Sequence, residues 1–261
     1  MLFDTHCHLY AQEFDADREE ILDEMQAQGF MPCVLAAEDM PTSQACRRMA
    51  AGRPWLYFAA GVHPHNASGY SDAVHAELLA MMGEEKCVAW GEIGLDYHYD
   101  FSPRDVQKEA FVCQLDAACM LKKPIVLHIR EAHDDALAIL RARRGRLPSG
   151  VVHCFSGSPQ QAQEYIGLGF YLGFDGPVTF KNAPRLQACA RLCPAERLLV
   201  ETDSPFLSPE PVRGRRNDPR NTLYIARKLA EIRQEPLEAV CAQTLANGLR
   251  LFGIALPKEC D

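Results

Sequence analysis

The chain has 261 residues, of which 48% are hydrophobic and 24% charged, and its formal net charge is −8. This length suits one α/β domain with a substantial core. The acidic balance argues against a broad surface that coats a polyanion, although a local phosphate site is compatible with it. No apolar run approaches the roughly 20 residues of a membrane span, and no leader-like segment precedes the first apolar run, so we expect a cytoplasmic protein.

The 11 cysteines form an odd set without regular spacing. Most of them, Cys33 and Cys87 among them, lie in apolar runs. This distribution indicates small buried hydrophobic residues in a reducing compartment rather than a disulfide framework.

Short apolar segments alternate with segments of helical periodicity from one end of the chain to the other. The apolar segments predict strands at residues 2–5, 33–37, 57–62, 87–92, 125–128, 150–153, 171–174 and 198–201. The helical segments include 18–28 with Gly29 as its stop, 103–121, a helix that begins at Ser158-Pro159, and C-terminal helices near 222–233 and 237–251. The alternation predicts a single (β/α)8 TIM-type barrel over residues 1–261.

An open doubly wound sheet is the alternative fold. That fold commonly carries a Gly-x-Gly-x-x-Gly turn after its first strand, and this chain has a pair of histidines there instead. The barrel is therefore the favoured prediction.

Residues that commonly ligate metals fall at the ends of five predicted strands: His6, His8, Glu92, His128, His153 and Asp203. Each alone has an ordinary alternative role, such as a histidine at a strand rim or an aspartate in a turn. The carboxyl ends of barrel strands converge on one face, so the set as a whole can meet. Imidazoles and carboxylates hold divalent cations that activate water, and the pattern therefore predicts a metal-dependent hydrolytic site.

The position of each residue refines this prediction. His6 and His8 are one residue apart on a strand, so we expect both on one face, with Asp4 below them and Cys7 opposite. Asp203 follows the eighth predicted strand, which neighbours the first in a closed barrel. It is therefore within reach of the same metal as the two histidines.

Ordered motifs over nearly the whole chain make this protein resemble the TatD-like metal-dependent deoxyribonucleases of the amidohydrolase superfamily. The motifs are Asp-Thr-His-Cys-His (4–8), Gly-Val-His-Pro-His (61–65), Gly-Glu-Ile-Gly-Leu-Asp-Tyr (91–97), Pro-Ile-Val-Leu-His-Ile-Arg (124–130), His-Cys-Phe-Ser-Gly (153–157), Val-Thr-Phe-Lys-Asn-Ala (178–183), Glu-Thr-Asp-Ser-Pro (201–205) and Arg-Gly-Arg-Arg-Asn (213–217).

The resemblance implies two divalent metal ions, with Mg, Mn and Zn as the candidates. One ion would be held by His6, His8, Glu92 and Asp203. The other would be held by Glu92, His128 and His153, which makes Glu92 the bridge. The implied activity is hydrolysis of DNA phosphodiester bonds, with single-stranded ends as candidate substrates. Asp203 would orient the water and accept its proton.

Four further residues are predicted to bind the substrate phosphates: His63, Arg130, Lys181 and Arg213. Arg215 and Arg216 extend the basic cluster at Arg213, and Tyr97 and Tyr99 are candidates to stack on bases. We expect DNA as the partner, no membrane, and a monomer.

Two other functions stay open on the same scaffold. The first is hydrolysis of an amide, lactone or ester bond, which the barrel alone does not exclude. The identity of residue 92 as Glu weighs against it, because related phosphotriesterase-like enzymes are known for a modified lysine at the bridge. The second is a non-catalytic binding module, which has no need for a complete ligand set.

Overall fold

The computed structural model describes residues 1–255, and the last six residues of the predicted domain, 256–261, lie outside them. In the described chain the strands are β1 (Asp4–Cys7), β2 (Cys33–Ala36), β3 (Leu56–Ala60), β4 (Cys87–Asp96), β5 (Ile125–Arg130), β6 (Gly150–Val152), β7 (Tyr171–Phe174) and β8 (Leu198–Val200). They form one parallel sheet in chain order. A parallel bridge between Cys7 and Ser204 brings the first strand to the segment after the last.

Helices follow the strands on the outside of this sheet. They are α1 (Arg18–Gln28), α2 (Met40–Ala51), α3 (Asp72–Met81), α4 (Arg104–Leu121), α5 (His133–Arg141), α6 (Pro159–Gly167), α7 (Pro184–Leu192), α8 (Thr222–Arg233) and α9 (Leu237–Phe252). The predicted (β/α)8 barrel is confirmed, and the open-sheet alternative is wrong. None of the described helices is long and apolar enough to cross a membrane.

Local sequence signals set several of the helix ends. Gly29 ends α1 in the left-handed conformation at φ 76°, as a glycine after a helix commonly does. Ser158 begins α6 with a capping box, in which its hydroxyl accepts from the Gln161 N–H at 3.2 Å and the Gln161 side chain accepts from the Ser158 N–H at 2.9 Å.

Strand β4 differs from its prediction because it continues beyond Glu92 to Asp96. Trp90 pairs with Ile125 and Ile93 with Leu127, so three residues of β4 advance against two of β5. This bulge places Glu92 within the strand rather than at its end. Gly94 is required there, because its φ is 147° and an added Cβ would lie 2.0 Å from the carbonyl oxygen of His128.

A similar irregularity in β1 overturns the predicted position of Asp4. Asp4 pairs with Cys33 and Cys7 with Leu35, so β1 also carries one extra residue. The carboxylate of Asp4 therefore lies on the side of the Cys7 and Cys33 thiols, and the prediction that it shares a face with His6 is wrong. Simple alternation along a strand fails wherever a bulge intervenes.

The barrel interior is filled near the amino ends of its strands. The cluster there contains a residue in or next to every strand: Phe3, Val34, Ala59, Val88, Ala89, Val126, Val151, Tyr171 and Leu199. Leu251 and Phe252 of α9, with Ile254, pack against this cluster. The amino end of the barrel is thus closed by apolar packing, which leaves the carboxyl end for the polar residues.

The cysteines of residues 1–255 are all free. Cys33 and Cys87 are fully buried, as their apolar surroundings predict, whereas Cys113 is exposed.

We expect Phe252→Ala to lower the free energy of unfolding by about 3–5 kcal/mol, because it opens a cavity in the cluster that closes the barrel. Urea denaturation monitored by circular dichroism measures this loss. Leu79→Ala is the control, since Leu79 is 37% exposed on α3 and surface truncations stay within about 0.5 kcal/mol. Equal losses in the two variants would contradict the packing role of Phe252.

Candidate metal centre

The structure brings the six predicted ligand residues together at the carboxyl end of the barrel. They are supplied by β1 and the residue after it (His6, His8), by β4 (Glu92), by β5 (His128), and by the segments just after β6 and β8 (His153, Asp203). Of these, His6, His8, Glu92 and His153 are almost fully buried. The convergence follows from the parallel barrel, in which distant parts of the sequence end on one face.

Asp203 is held in place by contacts between the first and last strands. Its backbone N–H donates to the carbonyl of His6 at 2.9 Å, and the Ser204 carbonyl accepts from the His8 N–H at 2.7 Å. The carboxylate of Asp4 accepts from the Thr202 N–H at 2.9 Å and from the Thr202 hydroxyl at 2.5 Å. The predicted adjacency of Asp203 to the two histidines is therefore realised by the closure of the barrel.

The first group of donor atoms surrounds one carboxylate oxygen of Glu92. His6 Nε2 lies 3.3 Å from Glu92 Oε1 and 3.4 Å from Asp203 Oδ1. His8 Nε2 lies 3.6 Å from Glu92 Oε1 and 3.2 Å from Asp203 Oδ1. Two imidazole nitrogens and two carboxylate oxygens thus face a common point.

The second group surrounds the other oxygen of the same carboxylate. Glu92 Oε2 lies 2.9 Å from His153 Nε2 and 3.6 Å from His128 Nδ1. The two imidazole nitrogens are 3.0 Å apart. Glu92 therefore presents a different oxygen to each group, as a carboxylate that bridges two ions can do.

Unsatisfied buried atoms show that the donor set fits a cation. His6 Nε2 and Glu92 Oε1 are buried and have no hydrogen-bond partner within residues 1–255. Burying such atoms unpaired is costly, and a cation at the first group would satisfy both. Mixed imidazole and carboxylate donors suit Zn and Mn, and the carboxylates also suit Mg.

The surrounding charges shift the pKa values of these groups. Burial disfavours protonated His8, but its hydrogen bond to Asp203 and the charge of Glu92 outweigh burial and raise the pKa of His8 to about 10. Burial likewise opposes protonation of His128, yet the carboxylates of Asp96 and Glu92 raise its pKa to about 9. Burial also favours neutral Glu92, but the imidazoles of His6 and His153 hold its pKa well below the usual range.

His6 behaves in the opposite way. Burial and the neighbouring His153 lower the pKa of His6 to about 4. Its imidazole is therefore neutral near pH 7, which leaves a lone pair for a metal.

Asp96 is a residue of the centre that the sequence prediction missed. It is fully buried, and its Oδ2 lies 3.1 Å from His128 Nε2 and 2.9 Å from His65 Nε2. A carboxylate on the far nitrogen of a metal-binding histidine fixes the orientation of the ring. No regular spacing marks this residue in the sequence, because the bulge between Trp90 and Ile93 breaks the alternation of side chains along β4.

The predicted substrate residues divide into two pairs. His63 and Arg130 line a cleft of about 500 Å³ together with the metal-centre residues. Lys181 and Arg213 are exposed and are not among the described residues that line this cleft. The Arg213 guanidinium lies 4.1 Å from the centroid of the Phe180 ring.

Two further residues that were predicted near the substrate, Arg216 and Tyr97, have partners elsewhere in the fold. Arg216 pairs with Asp17 through two nitrogens at 2.8 and 2.6 Å, so it is already engaged in the fold. Tyr97 donates to Asp135 at 2.7 Å, whereas Tyr99 lines the cleft.

A protein-family comparison agrees with this geometry. The family described as TatD related DNase matches residues 3–253. The chain belongs to this family.

Curated relatives and a solved structure match this protein over nearly the whole length of each sequence. A protein of Bacillus subtilis named uncharacterized metal-dependent hydrolase YabD is 41% identical, over 97% of this chain and 100% of its own length. The 3'-5' ssDNA/RNA exonuclease TatD of Klebsiella pneumoniae is 37% identical, over 97% and 98%. The crystal structure of YJJV, a TatD homologue of Escherichia coli, has a TM-score of 0.91 at 30% identity and covers 97% and 98%. The protein is thus a metal-dependent hydrolase of the TatD family.

We expect metal binding at pH 7 to release about two protons, from His8 and His128, whose pKa values of about 10 and 9 keep them protonated before binding. The affinity for metal therefore rises with pH, because a ligating nitrogen must be unprotonated. Calorimetric titration of metal-stripped protein in buffers of different ionisation enthalpy counts these protons. Binding without proton release would contradict the assignment.

We expect Asp96→Asn to weaken metal binding by about 10–100-fold, because the His128 ring loses its carboxylate partner. The same calorimetry measures the affinity. Asp116→Asn is the matched control, since Asp116 pairs with Arg143 away from the centre. Unchanged affinity in Asp96→Asn would rule out an orienting role for this carboxylate.

Proposed function

We propose that this protein is a nuclease that hydrolyses phosphodiester bonds of single-stranded DNA with two divalent cations. The observation that carries the proposal is the position of Glu92, whose Oε1 lies 3.3 Å from His6 Nε2 and whose Oε2 lies 2.9 Å from His153 Nε2. Such paired sites are suited to phosphodiester cleavage, because two cations would stabilise both the attacking and the leaving oxygen. The name of the Klebsiella pneumoniae relative, a single-strand exonuclease, supports the same substrate class.

Each donor group would hold one cation. His6, His8 and Asp203 would join Glu92 Oε1 on the first, and His128 and His153 would join Glu92 Oε2 on the second. When bound, the cations polarise a water molecule and the oxygens of the scissile phosphate.

Asp203 is the residue that accepts the proton of the attacking water. Its contacts with His6 and His8 both use Oδ1, which leaves Oδ2 for this task. Burial favours the neutral acid, but the hydrogen bond with His8 and the nearby imidazoles lower the pKa of Asp203. The carboxylate is therefore ionised at neutral pH and able to act as the base.

His63 and Arg130 bind the phosphate. The Nδ1 atom of His63 accepts a hydrogen bond from the His65 N–H at 3.1 Å, so the proton of the neutral ring is on Nε2. That nitrogen lies 3.9 Å from Glu92 Oε2, beside the second donor group. It can donate to a phosphate oxygen, and the Arg130 guanidinium in the same cleft can donate to another.

A substrate panel tests the proposal. Purified protein is assayed on single-stranded DNA, duplex DNA, RNA, lactones and dipeptides, each with Mg, Mn and Zn. We expect cleavage of single-stranded DNA to be fastest. Cleavage of lactones or dipeptides without any cleavage of nucleic acid would favour the amidohydrolase alternative instead.

We expect Asp203→Asn to lower kcat on single-stranded DNA by at least about 10²–10⁴-fold, because the base and a ligand are lost together. Glu92→Gln, which disrupts the bridge, should behave in the same way. Both substitutions keep the side-chain shape, and circular dichroism checks the fold. Glu84→Gln is the control, since Glu84 pairs with Arg47 on the surface. Full activity of either site variant at saturating metal would refute the mechanism.

A further inference from the structure

The exposed aromatic side chains of residues 1–255 are concentrated beside the metal centre. They are Tyr99, Phe101 and Phe206, with 47%, 68% and 50% of their surface exposed. Leu207, next to Phe206, is 38% exposed. Large apolar side chains left in water at one place mark a binding surface.

These residues form two patches beside the cleft. The first patch is Tyr99 with Phe101, and the second is Phe206 with Leu207. Tyr99, Phe206 and Leu207 line the same cleft as the donor atoms. A phosphate bound at the donor atoms would therefore lie close to both patches.

Each patch adjoins one of the two donor groups. The Phe206 ring lies 6.0 Å from the ring of His8, in the first group. The rings of Tyr99 and Phe101 lie 5.4 and 4.8 Å from the ring of His65. His65 shares the Asp96 carboxylate with His128, in the second group.

The Tyr99 and Phe101 patch is held together by contacts between flat groups. Their rings are stacked, with centroids 5.2 Å apart and planes at 15°. The Arg130 guanidinium lies 4.8 Å from the Tyr99 ring centroid. Arg130, Tyr99 and Phe101 thus form a column that ends at the most exposed ring, Phe101.

We propose that the two patches hold the bases on either side of the scissile phosphodiester. This inference rests on the proposed nuclease function and identifies the residues that recognise the nucleotides. Flat apolar rings stack on any base, since every base has a π face. A base paired within a duplex is already stacked on its neighbours, so only an unpaired nucleotide can offer its face to Phe101 or Phe206 without first being unpaired and unstacked.

The two patches would contact single-stranded nucleic acid in different ways. Arg130 holds a phosphate through the guanidinium that also extends the column, so charge and stacking act together at the first patch. Phe206 and Leu207 offer only apolar contact. Recognition therefore depends on the presence of a base and little on which base it is.

The test compares two substrates of equal length and charge. One is a hexamer of thymidine, and the other is a hexamer of stable tetrahydrofuran abasic residues with the same phosphates. Wild type, Phe101→Ala and Phe206→Ala are assayed with Mn, and products are separated by chromatography. The measured quantity is the ratio of kcat/KM on the thymidine hexamer to kcat/KM on the abasic hexamer.

We expect wild type to prefer the thymidine hexamer and each alanine variant to lose about 5- to 150-fold of that preference, mainly through KM, as one stacking contact is removed. Phe101→Tyr and Phe206→Tyr keep the ring and should keep the preference. Met120→Ala is the control for loss of an exposed apolar side chain, since Met120 is 77% exposed on α4, outside the residues that line the cleft.

The outcomes separate the two proposals. Equal rates of wild type on both hexamers would overturn the stacking inference while the nuclease function stands. An unchanged ratio in both alanine variants would overturn the assignment to these patches. Cleavage of neither hexamer would overturn the nuclease function and the inference with it.

Discussion

The structure depends on a buried carboxylate among imidazoles. Glu92 is almost completely buried, and such a group is stable in its charged form only where opposite charge or strong hydrogen bonds face it. His153 Nε2 lies 2.9 Å from Glu92 Oε2, whereas Glu92 Oε1 has no hydrogen-bond partner within residues 1–255. Nitrogen and oxygen atoms that can all donate electron pairs to a metal thus lie close together, and some of them have no hydrogen-bond partner within residues 1–255. A bound cation would stabilise this arrangement.

The barrel makes this arrangement possible because its apolar packing and its polar residues lie at opposite ends of the strands. The amino ends of the strands are closed by an apolar cluster that includes Phe3 and Phe252. This packing stabilises the fold without the help of the centre. The carboxyl ends are therefore free to carry polar residues that are poorly satisfied by the protein alone, at a cost offset elsewhere in the molecule.

Much of the fold and the convergence of the candidate donor residues could be predicted, because both rest on local patterns that recur along the chain. Segments such as Tyr171–Phe174 and Arg18–Gln28 have the predicted bounds. Bulges could not be predicted, since an extra residue in β1 or β4 leaves no mark in a simple alternation of side chains. For this reason Asp4 was placed on the wrong face, and Asp96 was missed because β4 was expected to end at Glu92.

The substrate residues were harder to predict for a related reason. A charged or aromatic residue in a loop gives no indication of which neighbour will engage it. Arg216 was predicted in a basic cluster but pairs with Asp17, a residue 199 positions away in the sequence. Phe206 carries no signal in the sequence, because its position beside His8 depends on the path of the loop after β8.

The closure of the barrel between Asp4 and Thr202 joins residues that are 198 positions apart. Contacts of such long range are slow to form, because the entropy lost in closing a long loop opposes them. His6 and Asp203 lie on the two sides of this closure, so a partly folded chain presents only fragments of the first donor group. A metal ion that prefers the complete group consequently stabilises the finished barrel over its intermediates, and the supply of metal in the cell becomes one determinant of how much folded protein persists.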